Sequence, residues 1–90
     1  MKNGTFRRRL QRCIDRGNLT TADLCRWFDR PYATCRSWLT QGWEPAGGPV
    51  TQQRMWRRLE KLETAVRANG RELRDLPMGK RAERLTQLGQ

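Results

Sequence analysis

Sixteen of the 90 residues are arginine and only three are lysine. The bias has a chemical meaning. A guanidinium is planar, always charged and able to grip a phosphate, or the edge of a guanine, through two parallel hydrogen bonds. Acid–base and metal chemistry are poorly supplied by contrast. The chain has no histidine, the commonest metal ligand and the usual general base near neutral pH. Cys13, Cys25 and Cys35 lack the paired spacing of a zinc site. No metal and no cofactor are expected. A catalytic role is not expected either, because a substrate pocket would take up most of the interior that so short a chain can build.

With 19 basic against 9 acidic residues the net charge is +10 and the sequence pI is about 11.2. The excess is denser in the first forty residues, and a polyanion is the partner such a balance attracts. The alternative is a surface that is basic only for solubility. Apolar residues make up 36% of the chain and aromatics 8%, enough for one small core. No run of eighteen apolar residues occurs, and Met1-Lys2-Asn3-Gly4-Thr5-Phe6-Arg7-Arg8-Arg9 lacks the apolar stretch of a signal peptide. The expectation is a soluble cytoplasmic protein with no membrane partner and no small-molecule substrate. Its thiols would be reduced core fillers.

The elements that must position the arginines follow from periodicity, and they predict an all-α fold of four to five helices. Phe6, Leu10, Cys13 and Ile14 share one helical face over about 5–16, with Thr5 as a cap and Gly17 as a stop. Thr20 and Asp23 form a capping box opening a second helix over about 21–28. Pro31 separates it from a third, whose stripe is Tyr32, Cys35, Trp38 and Leu39. The prolines and glycines of 42–49 predict a loop. From Thr51, the spacing of Met55, Leu59, Leu62 and Val66 predicts a long fourth helix of about seventeen residues ending at Asn69-Gly70. A domain over 1–69, completed by the fourth helix, would thus be followed by a tail, 70–90, that is partly helical or an oligomerisation segment, with a turn or two before Pro77 and a short helix carrying Ala82, Leu85 and Leu88.

The second and third helices with their short turn occupy about twenty residues, the length over which two helices can cross steeply and offer the second to a major groove. Cys25 is the small residue where they touch; Cys35 and Trp38 are the apolar ones that the second helix turns inward. That leaves Ala33, Arg36, Ser37 and Thr40 on its outer side.

Leu19-Thr20-Thr21-Ala22-Asp23-Leu24-Cys25-Arg26-Trp27-Phe28, continuing through Trp38, Gly42 and Pro45, resembles the helix-turn-helix of the phage repressor and Cro class over about a third of the chain. Cys25 stands where that family usually has Ala, and Asp29 where it has Gly. The resemblance implies base contacts from Tyr32, Ala33, Arg36, Ser37 and Thr40. It also implies phosphate contacts from Thr21 and Arg30, with Arg26 and Arg54 as further candidates. Arg36 is the sharpest choice, as a bidentate partner of guanine; phosphate or solvent is its alternative. For Tyr32 the alternative is packing on Leu24 or Phe28.

Trp27, Trp38, Trp43 and Trp56 among arginines invite stacking on single-stranded bases, although core packing suits Trp38 and Trp56 better. The stripe along the fourth helix either closes the core or joins two copies, which makes Leu62, Val66, Leu85 and Leu88 the oligomerisation candidates. Three functions compete. The first is a double-stranded DNA binder, a small phage or prophage transcriptional regulator acting as a homodimer or higher homo-oligomer. The second is a DNA-packaging or virion-assembly component similar to small terminase subunits. The third is an RNA binder through the arginine-rich stretch Arg7 to Arg12.

Overall fold

The computed structural model describes residues 5–41, 47–77 and 79–88. Among them are five helices: α1 (Thr5–Gly17), α2 (Thr21–Phe28), α3 (Tyr32–Gln41), α4 (Pro49–Asp75) and α5 (Arg81–Leu88). The protein is a small all-α domain. The predicted loop falls partly outside the described residues, and Gly42, Trp43 and Pro45 fall there entirely.

The ends of the short helices are set by local chemistry. α1 includes Thr5 and runs through Gly17. The left-handed residue that stops it is Asn18, at φ 54°, with Leu19 N–H bonded back to Ile14 O at 3.0 Å. Gly17 itself is helical and buried under the Leu19 side chain. The capping box of α2 is present in both directions: Asp23 N–H donates to Thr20 Oγ1 at 3.2 Å, and Thr20 N–H to Asp23 Oδ2 at 2.8 Å. α2 ends on Asp29 in the left-handed region, φ 55°, while Arg30 N–H reaches Cys25 O at 3.1 Å. A short acidic side chain accepts this backbone more readily than most. Pro31 then lends its carbonyl to Thr34 and Cys35, opening α3.

α4 departs most from the reading of the sequence. It starts two residues early, with Pro49 after the N-cap Gly48, and it does not end at Asn69-Gly70. That pair makes a kink instead. Asn69 leaves helical geometry (φ −129°, ψ 20°), and its side chain donates to Ala65 O at 3.2 Å. A Cβ on Gly70 would lie 3.3 Å from the Arg16 carbonyl oxygen, so glycine here lets α4 pass closely over the end of α1. The helix continues because Leu73 beyond the kink is fully buried.

The stripe of α4 closes the chain's own core, and the expected domain boundary is corrected. Met55, Leu59, Leu62 and Val66 are buried, but α4 lies chiefly along α1, against Phe6, Leu10 and Cys13; its backbone touches α2 less and does not approach α3. The boundary at 69/70 is not one. Leu73, Ala82 and Leu85 are buried, and α5 packs on both α2 and α4. Buried Arg81 ties the two parts together by donating to Leu73 O at 2.7 Å, which also accepts the Leu76 N–H, and to Arg74 O at 3.1 Å, both at the end of α4. Trp27 is buried as well. Its indole N–H donates to Arg58 O at 2.9 Å, while the Arg58 guanidinium lies 4.4 Å over its ring and donates back to Trp27 O.

A chain ended at residue 70 loses Leu73, Ala82 and Leu85 from one continuous core. It is expected to melt at least 10 °C lower, each lost large side chain costing roughly 2 kcal/mol or more and 1 kcal/mol corresponding to about 4–8 °C in a domain of this size. An unchanged melting temperature by circular dichroism would restore the tail as a separate segment.

Candidate nucleic-acid interface

α3 is turned by its own residue pattern. Cys35 and Trp38 point inward, with no and 3% exposure, and Leu39 packs partly beside them. At 100° per residue the side away from Cys35 and Trp38 carries Ala33, Arg36, Ser37 and Thr40, and Tyr32 lies at the edge beside Leu39. Tyr32, Ala33, Arg36 and Thr40 are exposed and Ser37 is half-buried. Tyr32 is 53% exposed. Thr40 is less free than its exposure suggests, because its hydroxyl donates to Arg36 O at 2.9 Å.

Three contacts hold this helix in place. Trp38 meets Phe6 and Phe28 edge-on, with ring centroids 5.2 and 5.3 Å apart. Arg7 Nε donates to Leu39 O at 2.8 Å and fastens the carboxyl end of α3 to α1. At the crossing of α2 and α3, burial first, then the neighbouring Cys25 thiol, pushes the Cys35 thiol up to about 12. Cys13 is likewise pushed up to about 12 by burial. Both thiols are therefore fillers rather than nucleophiles at neutral pH.

The phosphate candidates divide. Thr21 is half-buried at the start of α2, where the capping box uses the N–H groups of Thr20 and Asp23 and leaves those of Thr21 and Ala22 at the open helix end. Arg26 is exposed late in α2, and Arg30 is half-buried in the turn between α2 and α3. These three belong to the same helix-turn-helix unit as the α3 face. Arg54 is exposed early on α4, whose backbone meets α2 but does not approach α3.

The oligomerisation candidates are corrected. Leu62, Val66 and Leu85 are buried in the chain's own core, with exposures of 1% or less, and cannot meet a second copy in this fold. Leu88 alone reaches the surface, half-buried beside Ala68 and Lys61. Among the tryptophans, Trp38 and Trp27 are core. Trp56 is half-buried between Phe6, at 5.0 Å between centroids, and the Arg9 guanidinium, at 5.5 Å. Trp27 and Trp38 offer no open ring face for a base.

Sequence reasoning missed the division of labour among the arginines. Arg7, Arg9, Arg58, Arg81 and Arg84 bond to protein acceptors: Leu39 O, Glu63, Trp27 O, the end of α4 and Glu72 respectively. The Arg9–Glu63 pair, with Nε to Oε2 at 2.8 Å, raises the pKa of that guanidinium through its hydrogen bond. Only the helical register relative to buried neighbours would have signalled this. Among the described residues no group of three potential metal ligands converges, and no helix is long and apolar enough to cross a membrane. No family model matches the chain, and neither a curated protein nor a solved structure matches it.

Thiol labelling tests the packing behind α3. In the native protein Cys13 and Cys35 are expected to react only at the rate of unfolding, and half-buried Cys25 ahead of them. Rapid native labelling of Cys13 or Cys35 would show that α1 and α3 are not seated as described.

Proposed function

We propose that the chain is a sequence-specific double-stranded DNA-binding protein that reads the major groove with α3, in the manner of a small phage or prophage transcriptional regulator. The observation that carries this reading is the outward face of α3. Tyr32, Ala33, Arg36, Ser37 and Thr40 supply a cation, hydroxyls, an aromatic tip and a methyl on one helix whose opposite face is locked in the core. That mixture suits base edges, which present acceptors, donors and the thymine methyl group.

Arg36 acts as the bidentate donor to guanine O6 and N7. Arg26, Arg30 and the open N-terminus of α2 hold the phosphates on either side and set the register of the helix in the groove. No bond is made or broken; the chain regulates by occupying its site. A two-fold symmetric operator needs two copies, and their contact must use a surface other than the buried Leu62, Val66 and Leu85. The same burial weakens the packaging alternative, which needs a free oligomerisation arm. The RNA alternative loses Arg7 and Arg9 to bonds within the fold.

Binding to a duplex is expected to weaken steeply with salt. With roughly six phosphates met, the slope of log Kobs against log salt is about −5. Arg36→Ala is expected to relax preference at one base position at a cost of about 1–3 kcal/mol, while Arg30→Ala weakens all sequences alike. Selection from random duplexes with each variant checks both. Uniform loss in both variants, or salt-independent binding, would contradict the reading.

A further inference from the structure

The outward face of α3 carries a single arginine, yet the chain has a far denser cationic surface elsewhere. Along the seam between α1 and the second half of α4 runs a groove lined by Arg12 and Arg16 on one wall and Arg67, Arg71 and Arg74 on the other. The arrangement is a product of register. Arg12 and Arg16 are four apart on one side of α1; Arg71 and Arg74 are three apart beyond the kink of α4, and Arg67, just before the kink, lines the same groove. The close crossing at Gly70, beside the Arg16 carbonyl, brings the two walls together.

All five side chains are exposed, and among the described residues none of them forms an ion pair or a side-chain hydrogen bond. The acids nearby do not neutralise them. Glu63, at one end of the groove, is taken by Arg9; Asp75 lines the other end and Asp15 stands beside Arg12, so the five arginines outnumber the acids within reach. Five guanidiniums held together without partners repel one another, and the folded chain gains nothing from them internally. An anion that reaches several at once relieves that repulsion.

We infer that this groove is a second nucleic-acid contact, one that binds the phosphodiester backbone without regard to sequence. Its wall from Arg67 to Arg74 extends about 10 Å at 1.5 Å per residue, long enough to meet successive phosphates of one strand. The groove sits at the opposite end of α1 from Arg7, which fastens α3. The chain therefore contacts nucleic acid with two separate surfaces, α3 for the base edges and the α1–α4 seam for the backbone. The inference rests on the preceding reading for the class of partner, a duplex, and not for the role of α3.

The test uses the full chain carrying Arg67→Gln, Arg71→Gln and Arg74→Gln, with a fluorescent duplex of random sequence titrated at a series of salt concentrations. The expected result is affinity at least tenfold weaker at low salt and a salt slope shallower by about 2 to 3, since each phosphate no longer neutralised removes about 0.9 from the slope. A chain with lysine at the same three positions keeps most of the slope. Unchanged affinity and slope in the glutamine variant would overturn the inference. If that variant fails to melt cooperatively, Arg12→Gln with Arg16→Gln on the other wall is read the same way, with a slope change of about 2 expected from the same relation. Arg36→Ala, run in parallel, separates the two claims. A flattened slope in the groove variant with no change of preference in Arg36→Ala keeps the groove and sinks the α3 reading, and the reverse pattern sinks the groove alone.

Discussion

Phe6 is the contact on which the arrangement of helices depends. Its ring stands 5.2 Å from Trp38 of α3, 5.0 Å from Trp56 of α4 and 6.0 Å from Phe28 of α2, with the two tryptophans meeting it edge-on. One residue near the start of α1 thus touches three other helices. Such aromatic pairs add roughly 0.5–1.5 kcal/mol each beyond the area they bury, which is large against the roughly 5–15 kcal/mol that stabilises a typical domain. α3 is held besides by the Arg7–Leu39 bond and by buried Cys35, its backbone meeting α1 and α2 but neither α4 nor α5. The angle at which the outward face of α3 is presented therefore depends on how Trp38 sits on Phe6 and Phe28.

What the sequence made legible was local. Thr20 and Asp23 form their reciprocal bonds within four residues, Pro31 fixes the start of α3, and the alternation of Cys35 and Trp38 with polar residues fixes which side of α3 is dry. Each is decided by neighbours in the chain, so spacing is enough to find it.

What was illegible depended on distant partners. Asn69-Gly70 has the composition of a helix stop, but Leu73 beyond it finds a core to fill and Arg81 caps the far end, so the helix bends and continues. An apolar stripe such as Met55, Leu59, Leu62 and Val66 reads the same whether it meets a helix of its own chain or of another; only the position of α1 decides. The arginines were ambiguous for a like reason. Arg7, Arg9, Arg58 and Arg81 serve as struts because an acceptor on another element comes within reach, while Arg67, Arg71 and Arg74 find none among the described residues. A positive charge count of this size is thus part scaffold and part surface, and only the surface part bears on a polyanion.

The central claim, that α3 is the reading surface, is tested most directly by following backbone amide resonances while a selected duplex is titrated into the uniformly labelled protein. The account predicts the largest shifts at Tyr32, Ala33, Arg36, Ser37 and Thr40, with smaller ones at Thr21 and Arg30. Amides of α3 that stay in place while those of α1 or α5 move would contradict it.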